Sequence, residues 1–208
     1  MSRWQPDARG RLERAALELF TEQGFAQTTV PQITARAGLT TRTFFRYFAD
    51  KREVLFAVEA ELPALVERLM AEAPAALSPV MVIAAGLKAV AATRFEEQRE
   101  YLRTHRRVVR ADESLREREL RKLSVLSEAI CRGFLNRGVD ELTATLAAQV
   151  AVTVFSVSLT RWLDHKDGPP LAEVIHDTLG ALRSIAIDSA GQVGGAPAGL
   201  PRLSGTSG

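Results

Sequence analysis

The stretch from Thr28 to Leu55, TTVPQITARAGLTTRTFFRYFADKREVL, has the pattern of two short helices joined by a tight turn. Thr29 can cap a first helix extending to Ala37, because its hydroxyl can accept a hydrogen bond from a backbone N–H. Gly38 supplies the backbone freedom that a tight turn between helices requires. We therefore predict that this stretch forms a helix-turn-helix.

The second helix of this motif, expected from about Thr41 to Phe48 after a cap at Thr40 or Thr41, carries two kinds of side chain. Helical spacing places Phe44, Tyr47 and Phe48 on one side, which is typical of a packed face. The other side carries hydroxyl, cationic and aromatic groups, namely Thr41, Arg42, Phe45 and Arg46. Arginine can bond to guanine, threonine to several bases, and an aromatic edge can contact the thymine methyl group in the major groove. This side therefore predicts contact with DNA bases.

Lys51 follows Asp50, a residue able to cap a fourth helix predicted from Lys51 to about Ala73. A lysine at the start of a helix, together with the free backbone N–H groups there, suits a DNA phosphate. The alternative is an ordinary solvated lysine. A helix that starts beside DNA and continues into the second half of the chain is also predicted to couple the two halves.

The N-terminal quarter of the chain resembles the DNA-binding domain of TetR-type transcriptional regulators. The matching residues, in order, are Arg11 to Phe20, Gly24-Phe25, Thr28 to Val30, Ile33, Ala37 to Leu39, Thr43-Phe44, Tyr47-Phe48 and Lys51 to Leu55. The resemblance implies phosphate contacts from four residues, Thr29, Thr43, Tyr47 and Lys51. It implies base-edge or adjacent contacts from Thr41, Arg42 and Arg46. Phe45 stands where most relatives have tyrosine, so one polar contact is lost there.

The 208 residues and 46% hydrophobic content are sufficient for two modest domains with proper cores. The formal net charge is +2, and residues 1–55 contain nine Lys and Arg against six Asp and Glu. This small basic surplus lies where a DNA-binding surface would need it. We predict a DNA-binding domain over 1–55, a helical effector-binding and dimerisation domain over 56–189, and a disordered tail rich in Gly, Pro and Ser over 190–208.

Helical periodicity continues after the motif, so the chain is predicted to be all-α, with three N-terminal helices and about nine in total. The later helices are expected over 79–95, 96–110, 112–136, 141–164 and 171–189. The last two are the most apolar, and they predict a homodimer that presents two motifs to a pseudo-palindromic operator. The predicted interface residues are Val154, Leu171, Ile175, Leu179 and Leu182. The alternative is that these helices bury each other within one monomer.

Sequence motifs for catalysis and cofactor binding are missing: there is no Walker loop, dinucleotide glycine pattern, HExxH or GxSxG. The three histidines lack metal-ligand spacing, and the single cysteine, Cys131, excludes a disulfide within the chain. We therefore predict no enzyme activity, no metal and no cofactor. The N-terminus lacks an apolar signal region, and the apolar run Leu146 to Leu159 is short and interrupted. A cytoplasmic protein without a membrane span is expected.

An arginine run, comprising Arg99, Arg103, Arg106, Arg107 and Arg110, is either a solvated helix face or an anion subsite at the rim of a cavity. The TetR resemblance implies a small-molecule pocket in the second domain. Residues Thr104 to Arg107 and Arg161-Trp162 resemble actinobacterial regulators of the mycofactocin type, which implies an acyl-coenzyme A thioester as effector. The expected pocket residues are Phe95, Leu102, Arg106, Phe134, Phe155 and Trp162, for which ordinary core packing is the alternative.

The function predicted from the sequence is therefore a ligand-responsive repressor. It would bind a double-stranded DNA operator as a homodimer and leave it when a small-molecule effector favours another spacing of the two motifs. The alternative is a helical scaffolding protein or enzyme in which the N-terminal motif has only a structural role.

Overall fold

The computed structural model describes residues 7–57, 61–165 and 167–192, which form nine α-helices and no strand. The helices are α1 Ala8–Gln23, α2 Val30–Ala37, α3 Thr41–Tyr47, α4 Leu62–Glu72, α5 Pro79–Arg94, α6 Arg99–Ala111, α7 Glu113–Asn136, α8 Glu141–Asp164 and α9 Leu171–Gln192. A short 3-10 turn, Glu96–Gln98, joins α5 to α6. The all-α prediction is confirmed.

The first three helices pack around one hydrophobic cluster, which includes Leu12, Ile33 and Phe44. The same cluster contains Val109 at the end of α6 and Leu115 at the start of α7. The N-terminal unit is therefore packed directly against α6 and α7.

A second hydrophobic cluster lies among α4, α5, α7, α8 and α9. Small residues such as Ala144, Ala148 and Ala151 let the neighbouring helices approach α8 closely. Among the described residues, α8 is the one helix with the length and composition to cross a membrane, properties that the core helix of a soluble protein shares. In this fold α8 packs against α7 and α9.

Local sequence chemistry sets the starts of the long helices. The Asp112 carboxylate caps α7 by accepting a hydrogen bond from the N–H of Leu115 at 3.2 Å. Asp140 caps α8 by accepting one from Thr143 at 3.0 Å, and these hydrogen bonds hold the pKa of Asp140 below its usual value.

The predicted fourth helix begins later than expected. Residues 51–57 form turns, and α4 begins at Leu62. Four consecutive residues from Val54 to Ala57 are buried, and consecutive residues cannot all lie on one face of a helix. Side chains also bind the carbonyl groups of this segment: Nε2 of His105 donates to Leu55 at 3.0 Å and Nη2 of Arg9 to Ala57 at 2.9 Å.

The residues predicted for the dimer interface lie inside the monomer. Val154, Leu171, Ile175 and Leu179 are buried in the second cluster, and Leu182 is half-buried against it. The apolar stripe of α9 packs against α5 and α8 of its own chain, which accounts for the four buried side chains without a second copy. Helix α9 continues through residues 190–192, and the rest of the predicted tail lies outside the described residues.

Candidate nucleic-acid interface

The start of α2 is fixed by a reciprocal capping box. The N–H of Gln32 donates to the Thr29 hydroxyl at 3.4 Å, and the N–H of Thr29 donates to Oε1 of Gln32 at 2.8 Å. Gln23 on α1 also donates from Nε2 to Oε1 of Gln32 at 3.3 Å. The Thr-x-x-Gln spacing was a visible sequence signal for this box, whereas only the threonine cap was predicted.

The turn between α2 and α3 requires glycine, as predicted. Gly38 has φ 63° and ψ 39°, the left-handed region in which other residues are strained. A Cβ atom there would also lie 3.0 Å from a guanidinium nitrogen of Arg11. Arg11 donates a hydrogen bond to the Ala37 carbonyl, so it binds the end of α2 to α1.

Helix α3 is capped by Thr40, whose hydroxyl accepts a hydrogen bond from the N–H of Thr43 at 3.2 Å. Phe44 and Phe48 are buried, as their spacing predicts. Tyr47, which was expected on the same packed side, is 43% exposed. It lies at the end of α3, where Arg46 donates to its hydroxyl at 3.1 Å and stacks over its ring at 4.9 Å. The cation holds the Tyr47 ring at the surface.

The outer surface of α3 combines cationic, hydroxyl and aromatic groups. Its exposed residues are Thr41, Arg42, Phe45, Arg46 and Tyr47. Thr43 is half-buried, and its hydroxyl lies 3.0 Å from that of Thr40. Phe45 is 58% exposed. Of the predicted contact residues on α3, all except Thr43 are thus on the exposed surface, and Thr29 is exposed at the start of α2.

Lys51 is not at a helix N-terminus, because α4 begins at Leu62. Its Nζ donates to the carbonyls of Phe25 and Thr28, each at 2.7 Å, and lies 4.1 Å from the centre of the Phe25 ring. Burial lowers the pKa of this ammonium group, partly offset by the charge of Asp112. Lys51 therefore fixes the loop that leads into α2.

Helices α6 and α7 bind the segment that follows the motif. The His105 ring donates to Leu55, stacks edge to face on Phe56 at 5.8 Å, and is buried. Glu53 forms ion pairs with Arg118 and, at 3.4 Å, with Lys122. These residues were not predicted, because each pair is separated by 49 or more residues and has no local sequence signal.

A cavity of about 190 Å³, here called the α6–α8 cavity, lies beside this connection. Phe56 and His105 line it, and so do four of the six predicted pocket residues, Phe95, Leu102, Arg106 and Phe155. The other two do not line this cavity. Phe134 lines a separate apolar cavity of about 290 Å³ beside α4 and α5. Trp162 is buried, with the Arg99 guanidinium 4.6 Å from the centre of its ring.

Residues 13–58 match the family described as bacterial regulatory proteins, tetR family. The HTH-type transcriptional regulator TcmR of Streptomyces glaucescens is 41% identical over 87 residues, which cover 39% of this chain and 36% of TcmR. The chain spans about a third of the length of the curated relatives it matches.

Solved structures show the same fold over most of the chain. A putative transcriptional regulator from Pseudomonas aeruginosa has a TM-score of 0.62 at 15% identity, covering 92% of this chain and 96% of its own. The SmeT–triclosan complex has a TM-score of 0.59 at 21% identity, covering 84% and 90%. The capped helix-turn-helix thus lies in the part of the chain that matches the tetR family of bacterial regulatory proteins, and the whole described chain has the fold of these solved regulators.

Proposed function

We propose that this chain is a cytoplasmic transcriptional repressor that binds a pseudo-palindromic operator as a homodimer and is released by a small molecule. The observation that carries the proposal is the outer surface of α3, where Arg42 and Arg46 flank an exposed Phe45 on a helix anchored by Phe44. Such a helix fits the major groove, with arginine suited to guanine and the aromatic edge to thymine.

Self-association is proposed through a stripe of α8 that the monomer leaves exposed. Leu142 and Leu146 are 70% and 58% exposed, and Val157 continues the same helix face toward its C-terminal end. Ile185 on α9 is also exposed. Exposed apolar side chains at helical spacing are favourable to bury against a second copy. A two-fold dimer would place two α3 helices in successive major grooves, about 34 Å apart.

Effector binding is proposed in the α6–α8 cavity. Its lining is mostly apolar, with a few polar groups that include His105 and Arg106, as is usual for small-molecule sites. SmeT, which has a similar fold, forms a complex with triclosan. An acyl-coenzyme A thioester remains one candidate for this chain.

The cavity offers a direct route from effector to DNA-binding unit. Phe56 and His105 line the cavity, and the same His105 binds the Leu55 carbonyl just after the motif. A ligand that moves this wall would therefore move the segment that carries α3. Release requires that the ligand bind more tightly to the conformation that does not fit the operator. Helix α6 replaces the predicted fourth helix as the connecting element.

The proposal is tested by selecting duplexes from a randomised pool with the purified full chain and measuring the mass of the retained complex. We expect an enriched pseudo-palindrome bound by two copies or a multiple of two. The logarithm of affinity should fall linearly with that of salt concentration, by roughly 0.9 per phosphate contact. A scaffolding protein would enrich no sequence, and that result would reject the proposal.

A further inference from the structure

We infer that the effector of this chain is an amphipathic anion, with its apolar part in the α6–α8 cavity and its anionic group on an adjoining arginine recess. The recess is lined by Arg103, Arg106, Arg107, Arg110, Leu163 and Asp164. The inference rests on the proposed function, because it names the ligand class of the proposed effector site.

The four arginines of the recess lie on one face of α6, at positions i, i+3, i+4 and i+7. Among the described residues that line the recess, Asp164 carries the only carboxylate, and it is exposed. Four like charges on one helix face repel one another. A bound anion would relieve that repulsion and accept hydrogen bonds from several guanidinium groups.

Arg106 connects the recess to the cavity, since it lines both. One of its nitrogens, Nη1, donates to the Thr160 carbonyl at 3.0 Å and to Asp164 at 3.1 Å, which holds the guanidinium in place. Its other terminal nitrogen, Nη2, is buried and has no hydrogen-bond partner among the described residues. Nη1 of Arg103 is likewise buried and has no hydrogen-bond partner among the described residues.

Buried donors without acceptors are costly, and most buried polar groups in folded proteins are hydrogen-bonded. Two such donors on one arginine face favour an acceptor supplied by a ligand. A carboxylate or a phosphate group fits best, because guanidinium binds both bidentately. These two groups share the required chemistry, a compact anion with several acceptor oxygens.

The apolar part of the ligand would be held by the inner wall of the cavity. This wall is formed by large hydrophobic side chains, Phe56, Leu62, Phe95, Leu102, Leu126 and Phe155. Leu163, Arg106 and Arg110 line both spaces, so an alkyl chain in the cavity can carry its anionic end into the recess.

The cavity beside α4 and α5 provides an internal contrast. Glu72 is the one charged residue among its described lining residues, so it lacks a cationic group to hold an anion. Neutral apolar molecules would fit there, whereas an amphipathic anion is expected to prefer the α6–α8 cavity.

The test is calorimetric titration of the full chain with decanoate, decyl phosphate, decanol and inorganic phosphate, each below any micelle concentration. We expect at least one of the two alkyl anions to bind at least tenfold more tightly than both decanol and inorganic phosphate. Replacing Arg107 and Arg110 together by glutamine should lower the affinity for the alkyl anions at least tenfold and leave the affinity for decanol unchanged. Both side chains are exposed, so the double variant should fold. The control is Arg132→Gln on α7, which removes a guanidinium from a surface ion pair with Glu67 of α4.

Several results would overturn the inference. One is equal affinity for decanol and both alkyl anions, and another is equal affinity for decyl phosphate and inorganic phosphate. The others are no binding of either alkyl anion, and an unchanged affinity for the alkyl anions in the double variant. The proposed function is judged separately, by duplex selection with the ligand-free chain. A selected operator combined with any of these results would reject the amphipathic anion alone.

Discussion

Phe44 and Phe45 are adjacent on α3 and lie edge to face, with ring centroids 5.4 Å apart, yet Phe44 is fully buried and Phe45 is 58% exposed. Successive residues of a helix point about 100° apart, so one ring packs on α1 and α2 while the other projects outward. The pair divides α3 into a face that holds the domain together and a face available to DNA.

This division predicts opposite consequences for two neighbouring substitutions. Phe44→Ala should lower the free energy of unfolding by about 3–5 kcal/mol, because it leaves a cavity in the N-terminal cluster. Phe45→Ala should change it by less than about 0.5 kcal/mol while weakening operator binding. Urea denaturation followed by circular dichroism measures the first effect and duplex titration the second. Equal destabilisation by both variants would show that the two faces are wrongly assigned.

Lys51 is predicted to act by fixing the loop before α2. Lys51→Ala removes the donor to the Phe25 and Thr28 carbonyls, so the protein should lose about 1–3 kcal/mol of stability. Operator affinity should fall alike for all sequences, with an unchanged salt slope. A slope smaller by roughly 0.9 would instead show that Lys51 neutralises a phosphate. Arg52→Ala, at the exposed neighbouring position, is the control for stability.

His105 is predicted to join the cavity to the DNA-binding unit. His105→Phe keeps an aromatic ring against Phe56 but removes the donor to Leu55. The unpaired carbonyl should cost about 1–3 kcal/mol in thermal or urea unfolding. His176→Phe, at an exposed site on α9, should cost less than about 0.5 kcal/mol. If the two variants lose the same free energy of unfolding, the hydrogen bond to Leu55 does not help to join the cavity to the DNA-binding unit.

The exposed stripe of α8 is predicted to be the dimer surface. Leu146→Glu places a charge at its centre, so sedimentation should show a monomer, and operator affinity should drop because only one half-site is held. Leu120→Glu makes the same change at an exposed leucine of α7 and should leave the dimer intact. A dimer that survives Leu146→Glu would place the interface elsewhere.

The features that the sequence predicted well are those decided by neighbouring residues. Thr29 and Gly38 act within a few residues of their own positions, as a helix cap and as a turn. The exposed face of α3 followed from helical spacing alone, apart from Tyr47.

The features that the sequence did not predict depend on contacts between distant parts of the chain. Lys51 binds carbonyls 26 and 23 residues away, and His105 binds one 50 residues away. Helix α9 likewise offered an apolar stripe, but its spacing could not distinguish packing on α5 and α8 from packing on a second copy. Periodicity shows which side of a helix is buried, and tertiary structure decides what covers it.

The central claim is that the outer face of α3 recognises a DNA sequence, and Arg42→Ala tests it most directly. Affinities of the native chain and the variant are compared on the selected operator and on duplexes with each base pair replaced in turn, at one salt concentration. We predict that the variant loses about 1–3 kcal/mol of binding free energy on the selected operator and loses its base preference at one base pair in each half-site. An unchanged preference at every position would contradict the assignment of this face.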